Sequence, residues 1–453
     1  MEFSQTPPNW LQVKLVEIAT LNMGQSPSSS DVNDFGEGIA FFQGKADFGK
    51  LHPTARKFCT APKKTAESGD ILLSVRAPVG PTNVANQKTA IGRGLAAIRA
   101  EAKYVEPKFL IHYFRCIEPW MSQQGTGTTF KAVSGAFLKE LDTVFPPLIE
   151  QKVIANKLDT LLTQVENTQA RLDGIPKILK RFRQSVLAAA VSGRLTEEWR
   201  KKHSIHDKWQ QVSLGDLIEN GPQNGIYKPN NLYGSGCLII RIDSFYDGLI
   251  AKWEGLKRVQ VEPLEIQKWG VRQGDILINR VNSIEYLGKS ALVSELIEPA
   301  IFESNIMRLS LRRELAEPSF ISLFLRSPVG LERLRANAKL AVNQASINQN
   351  DVKSCLLKLP KLAEQTEIVR RVDQLFAHAD RIEQQVDQAL ARVNNLTQST
   401  LAKAFRGELT EQWRKDNPEL ISGENSAEAL LERIKAERAA KAPAKRTRKK
   451  ATA

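Results

Sequence analysis

The sequence predicts an α+β protein in which two globular domains of mixed helix and strand alternate with two long helices that pair as a coiled coil. Three observations predict this architecture. A segment of 55 residues occurs twice without gaps, each copy carries a heptad pattern of apolar residues, and the segments between the copies are rich in short β-like runs and turns.

The repeated segment shows that the chain is an interrupted duplication. Residues 146–200 align with 360–414 at a constant offset of 214, with nineteen identities. Both copies open on Pro-x-Leu-x-Glu-Gln and close on Gly-x-Leu-Thr-Glu-x-Trp-Arg. We therefore divide the chain into a first globule (1–145), a first helical repeat (146–204), a second globule (205–359), a second helical repeat (360–414) and a basic tail (415–453). We expect the tail to be disordered apart from a short helix.

Each repeat carries an apolar stripe whose spacing alternates between four and three residues, which is typical of a coiled-coil seam. The stripe positions are Ile154, Leu158, Leu161, Val165, Thr168, Leu172, Ile175, Leu179, Phe182 and Val186, then Ile368, Val372, Leu375, Ala379, Ile382, Val386, Ala389, Val393, Leu396 and Thr400. Two stripes in one register favour pairing of the helices with each other, and two helices packed on separate cores are the alternative. Gly174 and Pro176 predict a kink or short break in the first helix.

The two globules share a few anchors and are otherwise diverged. Trp10 and Trp209 open them, and Gly69-Asp70-Ile71-Leu72 recurs as Gly274-Asp275-Ile276-Leu277. A Gly-Asp pair before an apolar run is typical of a turn that opens a strand. Two related scaffolds with different surfaces suit a protein that reads two different half-sites.

The net charge of +14 and the isoelectric point near 9.5 predict a polyanionic partner, most commonly nucleic acid. A basic surface without function is the alternative. No apolar run is long enough to span a bilayer, and MEFSQTPPNW lacks the pattern of a secretory signal. The four cysteines lie far apart and form no CxxC pair. We expect a cytoplasmic protein with free thiols and no membrane association.

Candidate catalytic motifs each fail at a named residue. Phe145 stands where an adenine methyltransferase needs Asn or Asp before Pro-Pro, and Ser283 stands where a phosphate-binding loop ending at Gly288-Lys289-Ser290 needs glycine. Asp70 with Glu101-Ala102-Lys103 fits a nuclease site only loosely. His203 and His206 lie in a polar linker without cysteines, so zinc binding is not expected. We predict no catalytic residue and no metal site in this chain.

Several stretches together resemble the specificity subunits of type I restriction–modification systems, over about residues 10–414. They are SGDILLSVRAPVG (68–80), AIGRGLAAIR (90–99), GTTFKAVSGAFLKELDTVFPPLIEQ (127–151), QSVLAAAVSGRLTEEWR (184–200), GDILINRVNSIEYLGKSALV (274–293), AVNQASINQNDV (341–352) and LTQSTLAKAFRGELTEQWR (396–414). No single stretch is decisive, but their order is specific. The tail after Arg414 departs from the pattern, and its role stays open.

The resemblance implies that each globule is a target-recognition domain for half of a bipartite, asymmetric DNA site. It implies that the two helices pair antiparallel, set the spacing between the half-sites and give the chain pseudo-twofold symmetry. Two methyltransferase subunits that modify adenine N6 would dock on this repeat, with motor-nuclease subunits as further partners. S-adenosylmethionine, ATP and Mg²⁺ would bind to those partners, and no cofactor to this chain.

Candidate DNA contacts are polar or basic residues in two segments that precede the helical repeats, and after strand-like runs. They are Gln123, Gln124, Thr128, Thr129, Lys131, Asn343, Gln344, Ser346 and Asn348, then Arg76, Arg93, Arg241, Arg280 and Asn282, with Lys45, Arg56 and Lys57 as phosphate contacts. Structural loops are the alternative for the two segments. Trp199, Arg200, Trp413 and Arg414 are candidate anchors for partner subunits, or else caps that fold back on the helices.

Two other functions compete with this interpretation. A fused restriction–methylation enzyme lacks its methyltransferase motif and has no room for another catalytic domain. A coiled-coil scaffold or a non-specific DNA-bridging protein explains the heptads and the charge but not the paired, diverged globules. The target bases and the spacer length cannot be deduced from the sequence.

Overall fold

The computed structural model describes residues 6–125, 132–246, 248–250, 253–342 and 344–441. The chain forms two compact units, which are described separately. Unit 1 contains the described residues of 1–172 and 389–453, and unit 2 contains those of 173–388. Each unit therefore comprises one globule together with part of each long helix.

The globule of unit 1 is built on a four-stranded antiparallel sheet of order β2-β10-β7-β8 and a five-stranded sheet of order β3-β5-β4-β9-β6. Its elements are β1 (Leu11–Lys14), α1 (Leu15–Ile18), β2 (Ala19–Met23), β3 (Val32–Asn33), β4 (Ile39–Phe42), β5 (Lys57–Cys59), β6 (Thr65–Ala66), β7 (Ile71–Ser74), β8 (Thr82–Val84), β9 (Thr89–Ile91), β10 (Leu95–Ala100), α2 (Pro107–Gln124), α3 (Gly135–Lys139) and β11 (Asp142–Phe145). The first strand, β1, pairs antiparallel with the last, β11.

A long helix, α4 (Leu148–Val191), and a short helix, α5 (Glu197–Lys202), precede the second globule. The elements of that globule are β12 (Gln210–Ser213), α6 (Leu214–Leu217), β13 (Ile218–Asn224), β14 (Tyr233–Ile240), β15 (Phe245–Tyr246), β16 (Leu249–Ile250), β17 (Lys257–Val259), α7 (Pro263–Trp269), β18 (Ile276–Asn279), β19 (Val281–Asn282), β20 (Ser290–Leu292), β21 (Ala300–Phe302), β22 (Ile306–Leu311), α8 (Pro318–Arg326), α9 (Pro328–Arg335), β23 (Lys339–Ala341), β24 (Gln344–Ser346), α10 (Gln349–Lys353) and β25 (Leu356–Leu359). The chain ends with α11 (Leu362–Phe405), α12 (Glu411–Asp416) and α13 (Ala427–Lys441).

Unit 2 shares with unit 1 the pairing of its first and last strands and the Gly-Asp turn, but its sheets differ. Its first strand, β12, pairs with β25, the strand that leads into a long helix. Its main sheet has the order β13-β22-β18-β20-β16-β15, and smaller sheets have the orders β17-β14-β21 and β19-β24-β23. The Gly-Asp turns are equivalent, since Asp70 accepts the Glu67 N–H and Asp275 accepts the Arg272 N–H, each at 2.8 Å. The predicted turn role of these aspartates is confirmed.

The helix α4 is continuous through Gly174 and Pro176, so a break there is wrong, whereas a kink stays a prediction. A proline inside a helix removes one hydrogen bond and costs roughly 3 kcal/mol or more. Apolar burial beyond the proline offsets that cost, because Leu179 and Val186 are buried stripe residues on the same continuous helix. Most of the other stripe positions are buried or half-buried, and Thr168 and Leu396 are exposed.

The contacts between the two helical repeats run antiparallel, as predicted. In unit 2, Arg183 Nη2 lies 2.6 Å from Asp380 Oδ1, and Arg371 Nη1 donates to the Leu195 carbonyl at 3.0 Å. In unit 1, Lys157 Nζ donates to the carbonyl of Leu409. A later position on the first helix thus meets an earlier position on the second.

The tail is ordered further than predicted. In unit 1, α13 buries Ala427, Leu430, Leu431 and Ile434 in the main core, so the expectation of disorder apart from a short helix is too broad. Its polar face is also held, because Arg438 Nη2 lies 2.7 Å from Glu101 Oε1 and the Tyr104 hydroxyl donates to Glu437 at 2.6 Å. The basic residues beyond Lys441 lie outside the described residues.

Unit 2 has the opposite charges at the positions that hold α13 in unit 1. Backbone bonds align the two sites, because Glu101 N–H donates to Ile18 O as Arg312 N–H donates to Leu217 O. Arg312 therefore stands in the place of Glu101, and Glu314 in the place of Lys103, which bonds to Glu437. The Glu437–Arg438 pair of α13 fits unit 1 and would meet like charges on the equivalent residues of unit 2.

In the described ranges, no helix is long and apolar enough to cross a membrane. The four cysteines are free, and Cys59, Cys116 and Cys355 are buried. Burial raises the pKa of Cys116 to about 12 and that of Cys355 to about 11, so these two thiols are unreactive at neutral pH.

Candidate nucleic-acid interface and helix junctions

A buried glutamate stands at the start of each long helix and accepts hydrogen bonds from two other segments of its unit. In unit 1, Glu150 accepts from Trp10 Nε1 at 2.9 Å, from Thr410 Oγ1 at 2.7 Å and from Arg414 Nη1 at 2.6 Å. The start of α4, the start of the globule and the end of the other helical repeat are thereby joined.

The same junction occurs in unit 2 with the roles of the repeats exchanged. Glu364 accepts from Trp209 Nε1 at 3.1 Å, from Thr196 Oγ1 at 2.6 Å and from Arg200 Nη1 at 2.5 Å. Both glutamates are buried, and a buried carboxylate is tolerated only when it is paired and hydrogen-bonded. We call these two constellations the helix junctions.

The glutamine that follows each glutamate anchors the globule to its helix. Gln151 accepts from the Glu106 N–H at 2.9 Å and donates to the Pro146 carbonyl at 2.8 Å. Gln365 makes the equivalent bonds to Glu317 and Pro360, both at 2.8 Å. Glu106 and Glu317 cap α2 and α8, so the glutamine found in both repeats joins the start of the long helix to the capped helix of its globule.

Glycine is required where each repeat closes. Gly193 and Gly407 both have φ of +78°, a left-handed conformation that ends a helix and that residues with a side chain rarely adopt. A Cβ on Gly407 would also lie 2.3 Å from Pro7, and one on Gly193 would lie 3.2 Å from the Trp209 ring. The glycine therefore allows the helix end to approach the junction.

The four residues predicted as partner anchors divide into two kinds. Arg200 and Arg414 bind the junction glutamates. These two arginines therefore act as caps that fold back on the helices, which is the alternative to a role as partner anchors. Trp199 and Trp413 are half-buried beside them, and Trp199 packs on His203 with ring centroids 4.6 Å apart. A contact of these residues with partner subunits stays a prediction.

In unit 1, three of the predicted DNA contacts line one cleft of about 290 Å³. Lys45, Arg76 and Arg93 are exposed there, and none of them forms an ion pair with a carboxylate in the described part of the chain. Burial raises the pKa of nearby Glu118, and Lys45 acts in the opposite direction. The cleft therefore presents three cations that are available to an anion.

The loops of this cleft are held close by backbone bonds. The Val75 N–H donates to the Gly94 carbonyl at 2.9 Å, which places the loop of Arg76 beside that of Arg93. A Cβ on Gly94 would lie 2.1 Å from the carbonyl oxygen of Gln43, so only glycine permits this approach. Ser26 and Ser74 also line the cleft, and sequence reasoning did not single them out.

The polar segment before the first repeat ends at this side of unit 1. Gln123 and Gln124 are exposed at the end of α2, whereas Thr128, Thr129 and Lys131 lie outside the described residues. Ala132 forms a bridge with Arg76, and the Val133 N–H donates to the Val75 carbonyl at 3.0 Å. The segment therefore returns beside the cleft.

The equivalent segment of unit 2 forms a hairpin of β23 and β24, which we call the ribbon. The Ile347 N–H donates to the Arg280 carbonyl at 2.9 Å, as Val133 does to Val75, so the two segments occupy equivalent places. The ribbon pairs with β19 and brings Asn282, Gln344 and Ser346 together. Asn343 lies outside the described residues.

Other predicted contacts have structural partners or lie elsewhere. Asn348 caps α10 by accepting from the Asn350 N–H at 2.8 Å. Arg241 is half-buried, 3.3 Å from Glu303, and Arg280 donates to the Ser304 carbonyl at 3.2 Å. Arg56 and Lys57 are exposed at β5, outside the cleft. Sequence reasoning missed exposed Lys339, Leu340 and Val342 on the ribbon, although apolar residues in a polar segment were a visible signal.

The arrangement can bind an anion and display hydrogen-bonding groups. Across the ranges that the structure describes, no three His, Cys, Asp or Glu side chains are grouped so as to hold a metal ion. Lys289, from the motif that resembles a phosphate loop, packs over the rings of Tyr286 and Phe245.

Comparison with known proteins identifies relatives along most of the chain. The family model described as "Type I restriction modification DNA specificity domain" matches residues 7–177 and 206–392. The chain is 37% identical to the type I restriction enzyme EcoBI specificity subunit of Escherichia coli, covering 98% of this chain and 95% of that protein. It is 44% identical to the EcoKI specificity subunit of Escherichia coli, covering 73% of this chain and 71% of that one.

Two solved structures share the fold. One, from a study of complex assembly and conformational transition of the type I R-M system, has a TM-score of 0.67 at 20% identity and covers 89% of this chain and 99% of that chain. The other, the HsdS subunit of Thermoanaerobacter tengcongensis, has a TM-score of 0.55 at 21% identity and covers 89% and 98%.

The helix junctions generate a stability prediction. Replacing Glu150 by Gln should lower the free energy of unfolding of unit 1 by about 3 kcal/mol, because Arg414 is left partly buried without its anion. Hydrogen exchange should quicken in β1 and β11 and stay unchanged in β12 and β25, whereas Glu364→Gln should show the reverse. Glu424→Gln is the control, since its exposed pair with Arg433 is worth at most about 1 kcal/mol. Equal losses in all three variants would contradict the prediction.

Proposed function

The chain belongs to the family of type I restriction–modification DNA specificity subunits, and we propose that units 1 and 2 each read one half of a bipartite, asymmetric DNA target. The observation that carries this proposal is the basic cleft of unit 1, together with the ribbon of unit 2, which occupies the place of the segment that returns beside that cleft. One frame thus presents two different surfaces, which is what an asymmetric target requires.

The chemistry of the two surfaces supports a division of labour. Cations that form no ion pair within the described residues, such as Lys45, Arg76 and Arg93, suit phosphates and can also donate to guanine. The ribbon instead presents the exposed carboxamide of Gln344, and the adjoining strand β19 carries that of Asn282 on the opposite face; a carboxamide suits the edge of adenine. We therefore expect the two half-sites to differ in sequence.

The long helices are proposed to set the spacing between the half-sites. Each has 44 residues and a length of about 66 Å at 1.5 Å per residue, against about 34–36 Å for one turn of B-DNA. Each helix starts at a junction that fixes one globule. The number of residues between the two junctions then determines which spacer is tolerated.

The reaction chemistry is proposed to belong to partner subunits. Phe145 stands where an adenine methyltransferase motif needs a hydrogen-bond acceptor, and this chain offers surfaces for binding. The repeated junctions, each with a half-buried tryptophan, support docking of two methyltransferase subunits that bind S-adenosylmethionine. Motor-nuclease subunits with ATP and Mg²⁺ would join through them, in the cytoplasm.

Methylome sequencing tests the proposed function directly. The chain is co-expressed with a methyltransferase subunit from its own operon in a host free of adenine methylation. We expect N6-methyladenine at one bipartite, asymmetric motif, and none when either subunit is expressed alone. Methylation by this chain alone, or methylation at a continuous palindrome, would refute the proposal.

If the basic cleft binds DNA phosphates, removing its cations should lower the affinity for DNA. Lys45→Ala, Arg76→Ala and Arg93→Ala should each weaken DNA binding by the methyltransferase complex. Each lost phosphate contact should reduce the slope of log K against log salt concentration by about 0.9. Lys63→Ala, an exposed lysine outside the cleft, is the matched control. An unchanged slope in all three cleft variants would remove the cleft from the interface.

A length change in the helices tests their spacing role. Inserting four residues into the middle of one long helix should change the tolerated spacer or abolish methylation, because the insertion adds about 6 Å to that helix and turns the residues beyond it by about 40°. Each half-site should keep its sequence, as determined by methylome sequencing. A changed half-site sequence with an unchanged spacer would show that the helices take part in base reading instead.

A further inference from the structure

The ribbon of unit 2 exposes two large apolar side chains. Leu340 is 74% exposed and Val342 is 92% exposed, although a solvent-exposed hairpin gains nothing from such residues. Polar groups surround them, because Lys339 and Gln344 are exposed on the same two strands and Asn282 lies on the adjoining strand β19. Apolar tips among hydrogen-bonding groups indicate a binding surface.

The register places one apolar residue in a row with a carboxamide. Leu340 pairs with Ala345, and Ala345 pairs with Asn282, so these three side chains share one face of the sheet. Lys339 and Ser346 are paired on the opposite face. The pairing with β19 reaches only Ala345, so the ribbon is two-stranded from there to its tip, and a two-stranded ribbon can enter the major groove of B-DNA.

The major groove holds an apolar group that matches this surface. Thymine carries a C5-methyl group there, and its partner adenine presents N6 and N7, which a carboxamide can bind. Resting on the proposed function, we propose that Leu340 and Val342 contact the C5-methyl group of thymine in the half-site that unit 2 reads. Thymine is then recognised by a methyl contact as well as by hydrogen bonds.

Uracil substitution tests the contact at the level of one methyl group. Once methylome sequencing has given the target, duplexes are made in which each thymine of either half-site is replaced singly by uracil. The dissociation constant is measured for the complete methyltransferase complex. We expect uracil to weaken binding about fourfold at one or two positions of the unit 2 half-site, which is the worth of one buried methyl group.

The variants show whether these side chains make the contact. Leu340→Ala and Val342→Ala should weaken binding to the thymine duplex and lose most of the thymine–uracil difference. Leu264→Ala, an equally exposed leucine on α7, should keep that difference. Assembly with the methyltransferase subunits should be unchanged in all three variants, which also shows that they fold.

Each failure has a separate meaning. A complex that binds no specific duplex contradicts the proposed function. Specific binding that does not distinguish uracil from thymine, or a unit 2 half-site without an A·T pair, overturns the methyl contact alone. Variants that keep the full thymine–uracil difference but lose assembly would show that the exposed residues dock a protein subunit, which also overturns it.

Discussion

The fold depends on a buried carboxylate at the start of each long helix. Removing a carboxylate from water costs several kcal/mol unless donors replace the water. Glu150 and Glu364 each receive an indole N–H, a threonine hydroxyl and a guanidinium. The donors come from the start of a globule and from the end of the opposite helical repeat, so the carboxylate is satisfied only when globule, helix start and opposite repeat end are all in place.

This constraint explains which features of the sequence allowed prediction and which did not. The repeat, the heptads and the Gly-Asp turns depend on neighbouring residues, so they could be predicted. The partners of Glu150 lie 140, 260 and 264 positions away, and only folding shows them. The helix α13 did have a local signal, since its buried Ala427, Leu430, Leu431 and Ile434 follow helical spacing, but the charge of the tail obscured it.

The candidate site shows the same limit. Arg76 and Arg241 both follow strand-like runs, and nothing local distinguishes them. Arg76 faces an open cleft, whereas Arg241 lies 3.3 Å from Glu303, whose pKa is raised by burial. Whether a cation is available to DNA depends on acids brought near by tertiary contacts. The sequence therefore identifies candidate polar residues, but it does not show which of them lack an acidic neighbour and so remain available to DNA.

A duplicated protein must also ensure that an element that occurs once, such as α13, packs on the correct unit. The residues that build the junctions are identical in both repeats, so they cannot tell the units apart. The residues that bind α13 do distinguish the units, because Glu101 and Lys103 of unit 1 are replaced by Arg312 and Glu314 in unit 2. Like charges close together are destabilising. The Glu437–Arg438 pair that holds α13 on unit 1 would therefore disfavour binding of α13 to the equivalent residues of unit 2. Identical junctions maintain the same arrangement of globule and helices in both units, while the inverted surface charges allow α13 to bind only one of them.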